Sequence, residues 1–332
     1  MAEGPAGALG RAARDAAAGG VGGVPPGAGG RGARPLAVMW AVLDEMHAEH
    51  CAAEEAEAAG EPRRAVAVPE RDLYYRLKSR GEVRNCEEVA RAVARAGALL
   101  GVRREDLGVV SSGGKGEVAG SIRIWAGASW HDCRAQGRFS VPGDPRVVAN
   151  LRFQTSARFI LVVEKETVFS RLLGEQLDAL MPIALVTGRG FPDVPTRTLL
   201  HHLATAFPHV PVVGLADWNP HGVAIMSLYK FGYVKRAASE YNKEVAVPRM
   251  VWLGLHRKDF PESCPTDEFT PRDRALAETL LTAAPAAELP AWALEVRAMA
   301  AGVGRKVDIE GICAHKQLAP LLMLKLLEGD WV

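Results

Sequence analysis

The pattern of apolar and polar positions separates an N-terminal segment without periodicity from a longer region of regular elements. Residues 1–35 are dominated by Gly and Ala with scattered Arg and Pro. Such a composition buries too little apolar surface to offset its backbone entropy, so we predict that this segment is disordered. From Ala37 to about Ala59, apolar residues recur at helical spacing, which predicts a lead-in helix.

Two short helices and a glycine-rich hairpin are predicted next. The segment RDLYYRLKSR follows Pro69, and proline is tolerated in the first turn of a helix. The second helix runs from Cys86 to Leu100, where Gly101 provides a stop signal. A short strand, the turn-rich SSGGKG and the strand VAGSIRIWAG follow. This order predicts a CAP-like winged-helix domain over residues 36–145, a fold that commonly places a helix in the DNA major groove.

Strands and helices alternate from Phe159 onward. Four buried strands are predicted, and they are FILVVEK, IALVTG, VPVVGLAD and MVWLGL. A helical pattern follows each of the first three, including one helix through Leu180, so the sheet is expected to be parallel with helices on its faces. Further helices begin at Pro271 and Pro290. We therefore predict an α/β domain with a helical C-terminal extension over residues 146–332.

Polar groups follow three of these strands. They are Glu164, the segment Thr187 to Asp193, and Asp217 with Asn219. Ligands bind at the carboxyl ends of the strands in such sheets, and hard carboxylate oxygens suit Mg²⁺. Asn219 would be a weaker ligand because its amide brings no charge. The alternative is that each acid caps the helix that follows it, where the helix dipole favours negative charge.

A tyrosine pair lies in the first predicted helix. Tyr74 and Tyr75 point about 100° apart in a helix, so at most one of them faces the core. Arg71 lies four residues before Tyr75 and therefore on the same face. A guanidinium there would stabilise a phenolate and hold a phosphate bidentately. The alternative is an aromatic core residue beside a surface arginine.

Charge is nearly balanced over the whole chain, at a formal net of +1, so any nucleic-acid surface is local. Between Arg63 and Arg84, seven basic and three acidic residues give a local net charge of +4. The alternative for this patch is a solvated helix face. Side chains in this patch and in the glycine-containing loops are predicted to contact DNA, namely Arg76, Lys78, Lys115, Arg189, Phe191 and Arg197.

Several classes of protein are disfavoured. The five cysteines form no Cys-x-x-Cys pair, which argues against a disulfide framework and a structural zinc site. No apolar run reaches the length of a membrane span, and the N-terminus has no signal-type apolar core, so we expect an intracellular protein without a membrane partner. SSGGKG is not a P-loop and no G-x-G-x-x-G follows a strand, which disfavours a dinucleotide enzyme.

The sequences of these motifs resemble those of one family, and the motifs follow in the same order from about Val68 to Val332. RDLYY resembles the catalytic tyrosine motif in the A subunit of topoisomerase VI and in its eukaryotic meiotic relatives. The run Asp217-Trp218-Asn219-Pro220 is similar to the plant-type meiotic members. FILVVEKETVF is similar to the Toprim strand that carries a glutamate. LVTGRGFPDVPTR and GLADWNPHGVAIMSLYKFG resemble the next two signatures, and VWLGL and KVDIEGI…LEGDWV are similar to the last ones.

The resemblance implies a Mg²⁺-dependent tyrosine transesterase of the type IIB topoisomerase class that cleaves double-stranded DNA in the nucleus and initiates meiotic recombination. Tyr75 would form a 5′-phosphotyrosyl bond with help from Arg71. Glu164 and Asp217 would hold Mg²⁺ in a Toprim fold, and Glu164 would also exchange a proton with the leaving 3′-oxygen. Asn219 stands where many members carry Asp.

The resemblance also implies partners and leaves two alternatives open. The chain would work as a homodimer or as a heterodimer with a paralogous A-type chain, each tyrosine facing the metal pocket of the other protomer. A B-type GHKL ATPase-like subunit is expected as well, because this chain has no ATPase motif. The alternatives are the A subunit of an ATP-dependent topoisomerase VI and a DNA-binding paralogue whose metal site is weakened through Asn219.

Overall fold

The described part of the chain, a computed structural model, comprises residues 33–61, 66–110, 114–234, 243–260, 264–312 and 317–332. It divides into two units at Gly113/Gly114. The segment predicted to be disordered, 1–35, lies outside the described residues except for its last three. These three already form the first turn of a helix, which Pro35 permits because its missing N–H has no partner in a first turn.

Helices dominate the described part of the first unit. They are α1 (Ala33–Ala58), α2 (Glu70–Ser79) and α3 (Cys86–Leu100). Two short strands, β1 (Val68–Pro69) and β2 (Val109–Val110), pair in parallel. Apolar side chains from all three helices form one core, including Val42, Met46, Leu73, Leu77, Val89 and Val93. The lead-in helix and the two short helices are thus confirmed.

The second unit contains a larger set of strands. They are β3 (Glu117–Gly120), β4 (Ile122–Trp125), β5 (Trp130–Asp132), β6 (Phe139–Ser140), β7 (Arg152–Thr155), β8 (Phe159–Val163), β9 (Ile183–Thr187), β10 (Val212–Leu215), β11 (Val251–Gly254), β12 (Asp267–Glu268) and β13 (Arg305–Lys306). The central sheet has the order β11-β10-β8-β9-β3-β6. Its first four strands are mutually parallel and are the four that the sequence predicted.

Helices accompany these strands. They are α4 (Pro145–Ala149), α5 (Glu166–Gly174), α6 (Leu177–Leu180), α7 (Val194–Ala206), α8 (Pro220–Phe231), α9 (Pro271–Thr282), α10 (Pro290–Ala300), α11 (Ile309–Ile312) and α12 (Leu318–Glu328). The predicted single helix through Leu180 is divided into α5 and α6, because Gln176 adopts a left-handed conformation with φ of 54°. The C-terminal helices begin at Pro271 and Pro290, as predicted.

The predicted domain boundary at residues 145/146 is wrong. Strand β3, predicted as part of a wing, pairs antiparallel with β9 and joins the central sheet of the second unit. Strands β4, β5 and β7 form a separate antiparallel sheet in that same unit. A strand pattern does not reveal its pairing partner, and the free edge of β9 needs one for its backbone groups. The two predicted helices therefore lie in the first unit and the predicted hairpin strands in the second, and the winged-helix fold stays a prediction.

Membrane-spanning helices and disulfides are both absent from the described residues. No helix among them combines the length and apolarity that crossing a bilayer requires. The cysteines Cys51, Cys86, Cys133 and Cys264 are free thiols, and Cys313 lies outside the described residues.

Candidate active site

The two predicted acidic residues meet where the connections of the parallel sheet change direction. Strand β8 lies between β9 and β10, so the chain leaves β8 on one side and later returns on the other. Such a switch point is where open α/β sheets bind ligands. Glu164 directly follows β8, and Asp217 follows β10. The backbone N–H of Asp217 donates to Oε2 of Glu164 at 3.0 Å.

Both carboxylates are buried, and burial raises the pKa of each. Glu164 is 7% exposed and Asp217 is 1% exposed. Burial, followed by the proximity of Asp217, raises the pKa of Glu164 to about 7. Burial also raises the pKa of Asp217 to about 6, although hydrogen bonds from Lys165 and from the N–H of Ile309 oppose the increase. Placing a cation at this crevice would relieve the cost of burying two ionised groups.

The capping alternative is wrong for both acids. The N-cap position of α5 is Lys165, which makes no side-chain cap, and the N-cap of α8 is Asn219. Oδ1 of Asn219 accepts the N–H of Gly222 at 2.8 Å. The structure thus gives Asn219 a helix-capping contact, and its role as a metal ligand stays a prediction.

The donor set of this crevice suits Mg²⁺. Within the described ranges, no group of three or more His, Cys, Asp or Glu side chains is arranged to hold a metal ion. Mg²⁺ usually retains several waters, however, and binds through one or two carboxylates together with substrate phosphates. The carboxylates of Glu164 and Asp217 meet that requirement.

Three side chains at this crevice were not singled out in the sequence. Nζ of Lys165 lies 2.7 Å from Oδ2 of Asp217, 3.0 Å from Oε2 of Glu310 and 3.5 Å from Oδ2 of Asp308. Burial disfavours the ammonium, but the hydrogen bond and charge of Asp217, followed by the hydrogen bond of Glu310 and the charge of Asp308, outweigh it and raise the pKa of Lys165. Lys165 lies in the motif FILVVEK, and Asp308 and Glu310 lie in the motif KVDIEGI. Both motifs were noted in the sequence, but they are distant along the chain, so their contact was not predicted.

The tyrosine pair lies on α2, in the first unit. Tyr75 is 55% exposed, whereas Tyr74 is 9% exposed and packs in the core of the unit. Nζ of Lys78 lies 5.4 Å from the centroid of the Tyr74 ring. Arg71 is exposed, like Tyr75. The helix therefore presents Tyr75 and Arg71 to solvent and uses Tyr74 for packing.

The basic patch around α2 is partly neutralised by α1. The guanidinium of Arg76 pairs with Glu49 at 2.5 Å and with Glu45 at 3.5 Å. Arg80 also pairs with Glu45. The local net charge counted along the sequence omitted these acids, which lie about thirty residues earlier in the chain. The patch is therefore less positive than the sequence suggested.

The loop after β9 contacts Glu164 at the end of β8. The N–H of Gly190 donates to the carbonyl oxygen of Glu164 at 2.8 Å. Arg189 has φ of 53°, and its exposed guanidinium pairs with Glu117 at 2.6 Å and with Glu166 at 3.5 Å. The side chain of Phe191 is exposed as well.

The remaining predicted DNA contacts differ in position. The side chain of Lys115 is exposed, and its N–H donates to Oδ2 of Asp193 at 2.8 Å. Arg197 is buried, and its guanidinium donates to the carbonyl oxygen of Gly232 at 3.5 Å. Its position on the packed face of α7 disfavours the predicted contact with a phosphate.

Comparisons with known proteins agree with this architecture. A family model for the Toprim domain of the topoisomerase 6 A-subunit/Spo11 family matches residues 159–320. The chain is 31% identical to "Meiotic recombination protein SPO11-2" of Oryza sativa subsp. japonica, over 79% of this chain and 69% of the relative. It is also 31% identical to the protein of that name from Arabidopsis thaliana, over 80% and 70%. "Meiotic recombination protein SPO11" of Homo sapiens is 34% identical, over 61% of this chain and 51% of the relative. This chain, with its Toprim domain in the second unit, belongs to the topoisomerase 6 A-subunit/Spo11 family.

Proposed function

We propose that this protein cleaves double-stranded DNA by Mg²⁺-dependent transesterification and thereby initiates meiotic recombination in the nucleus. The observation that carries the proposal is the pair of buried carboxylates, Glu164 and Asp217, at the switch point of a Toprim sheet. The exposed Tyr75 supports it, because a nucleophile must be accessible to its substrate. The names of the similar plant and human proteins favour meiotic recombination over a topoisomerase VI role.

The proposed reaction exchanges one phosphoester bond for another. Oη of Tyr75, after losing its proton to solvent, attacks the scissile phosphorus, and the bond from phosphorus to the 3′-oxygen breaks. Arg71 on the same face of α2 stabilises the phenolate. The leaving 3′-oxygen takes up a proton, and Glu164 is the residue that exchanges it. Mg²⁺ held by Glu164 and Asp217 would supply positive charge beside the reacting phosphate.

The DNA surface and the partners follow from the same proposal. The first unit would present α2 to DNA as a winged-helix domain does, with Lys78 beside Tyr75. Lys115, Arg189 and Phe191 of the second unit, all exposed, would contact the duplex. A second A-type chain would complete each centre, so that the tyrosine of one protomer acts with the carboxylates of the other. A B-type ATPase-like subunit is the remaining partner.

The test is transfer of DNA to the protein. A duplex labelled at a 3′-end is incubated with the protein, its partners and Mg²⁺, and the mixture is denatured and separated by size. Labelled protein is expected from the unchanged chain and from Tyr74→Phe, and none from Tyr75→Phe. Adducts that persist in Tyr75→Phe would show that the nucleophile is a different residue.

Two related functions give different results in the same preparation. ATP-dependent decatenation with a B-type subunit would assign the chain to a topoisomerase. DNA binding without any covalent adduct would assign it to a non-cleaving paralogue. Unfolding curves for both tyrosine variants serve as the control, because Tyr74 belongs to the core and Tyr75 does not.

A further inference from the structure

Lys165 connects the acidic crevice to a segment that the proposed reaction does not use. Its ammonium contacts Asp217, which follows β10, and also Asp308 and Glu310, which lie about ninety residues further along the chain. These carboxylates form one cluster around a single cation.

The position of the distant carboxylates is fixed by backbone contacts. Trp218 and Val307 exchange two N–H···O bonds, each of 3.0 Å. The N–H of Ile309 donates to Oδ1 of Asp217 at 2.9 Å. Oγ1 of Thr167 donates to Oε1 of Glu310 at 2.8 Å, which leaves Oε2 for Lys165. Glu310 is therefore held in place as a second partner for the ammonium.

We propose that Lys165 is the resident cation of this crevice, pairing with Asp217 when Mg²⁺ is absent and moving onto Glu310 and Asp308 when Mg²⁺ binds. The inference rests on the proposed function, because it assumes that Asp217 is a metal ligand. The ammonium and Mg²⁺ would compete for the carboxylate of Asp217, since both are cations that require its oxygens. A lysine suits this exchange, because its flexible stem carries a compact charge with three donors. Glu310 and Asp308 lie within reach of Nζ already, so the movement is small.

The experiment measures Mg²⁺ binding by titration calorimetry, at a pH of about 8.5 where carboxylates are ionised. Lys165→Met removes the competitor and should tighten Mg²⁺ binding about tenfold, which corresponds to about 1.4 kcal/mol. Lys165→Arg retains a charge and should bind within about twofold of the unchanged chain. Unchanged or weaker binding by Lys165→Met would overturn the proposal.

A matched control is available in the same unit. Nζ of Lys306 lies 3.0 Å from Oδ2 of the buried Asp273, and its side chain is 25% exposed, against 29% for Lys165. Lys306→Met therefore makes the same change in net charge at a similar ion pair. It should leave Mg²⁺ affinity within about twofold. A tenfold effect there would attribute the result to net charge and overturn the proposal.

A second variant tests the movement of the Lys165 ammonium while Asp217 keeps that ammonium as its ion-pair partner. Glu310→Gln removes the alternative partner, so the ammonium remains on Asp217 and Mg²⁺ binding should weaken about threefold. In a Lys165→Met background, Glu310→Gln should have no further effect, because it acts only through the lysine. A further loss in that background would make Glu310 a metal ligand and overturn the proposal.

Asp217→Asn separates this inference from the proposed function. If Asp217→Asn abolishes Mg²⁺ binding but Lys165→Met does not change it, the metal site stands and the resident-cation proposal fails. If Mg²⁺ binding does not depend on Asp217, the proposed metal site itself is wrong, and the inference fails with it.

Discussion

Replacement of Glu164 by glutamine tests whether the ionised carboxylate of Glu164 destabilises the folded chain in the absence of metal. Burial and the proximity of Asp217 raise the pKa of Glu164 from its ordinary value of 4.5 to about 7. The folded chain thus binds this proton more tightly than the unfolded chain does. The resulting stabilisation is fully present below pH 4.5 and is lost as pH rises to about 7, so stability falls over that window.

The expected magnitude follows from the two pKa values. A tenfold change in proton affinity is worth about 1.4 kcal/mol, so the change from 4.5 to about 7 corresponds to at most roughly 3 kcal/mol. Glutamine retains an oxygen that accepts the N–H of Asp217 and never acquires a charge. With EDTA at pH 8, Glu164→Gln should therefore unfold with a free energy about 1–3 kcal/mol above that of the unchanged chain. At pH 5 the two chains should be similar.

The assay is urea unfolding with EDTA at pH 5 and pH 8, repeated with Mg²⁺. Saturating Mg²⁺ should stabilise the unchanged chain at pH 8 and should stabilise Glu164→Gln less, because a cation compensates the ionised pair. Glu166→Gln is the matched control with the opposite sign. Although burial opposes it, hydrogen bonds from Ser170 and Arg138 lower the pKa of Glu166, so its substitution should not stabilise the chain at pH 8. The reasoning would be refuted if the free energy of unfolding of the unchanged chain did not fall between pH 5 and pH 8 with EDTA. A Glu164→Gln chain that is less stable than the unchanged chain at pH 8 would refute it as well.

Three further variants probe the loop, the cap and the DNA surface. In Gly188→Ala the new Cβ would lie 2.5 Å from Oη of Tyr229, so urea unfolding should show a loss of about 1–3 kcal/mol that Tyr229→Phe partly restores; no restoration would locate the clash elsewhere. Asn219→Ala removes the cap of α8 and should cost about 1 kcal/mol, whereas Asn219→Asp keeps the cap and should lower the Mg²⁺ concentration needed for DNA cleavage; an unchanged Mg²⁺ requirement would count against Asn219 as a metal position. Glu117→Gln releases Arg189 from its 2.6 Å ion pair and should tighten DNA binding by a factor of about 2–5 at low salt, as measured by fluorescence anisotropy; equal affinity would mean that Arg189 does not contact DNA.

The parallel strands and the position of the two acidic residues could be predicted from the sequence, because here the local apolar pattern determines the topology. Each of the four parallel strands is a continuous apolar run, because both faces of such a sheet are covered. Once those strands are recognised, Glu164 and Asp217 have to lie at one edge of the sheet. The structure adds that they occupy neighbouring strands and that a backbone N–H joins them.

Long-range pairing accounts for what the sequence does not predict. Glu310 contacts Lys165 although 145 residues separate them, and no local pattern indicates such a contact. The sequence pattern places strand β3 in the wrong domain for the same reason, since its partner β9 lies more than sixty residues later. Arg197 is predicted to contact DNA as part of a loop-forming segment, whereas it lies within α7 and is buried.

The central claim is that Tyr75 and Glu164 serve one reaction although they lie in different units of the chain. It is tested most directly with a forced heterodimer of a Tyr75→Phe chain and a Glu164→Ala chain. If each centre takes its tyrosine and its carboxylates from different protomers, one centre carries both defects and the other carries none. That heterodimer should convert supercoiled plasmid to the nicked form without producing linear DNA, although each mutant homodimer is inactive. Absence of nicks from the heterodimer, while the unchanged dimer linearises plasmid, would contradict this arrangement.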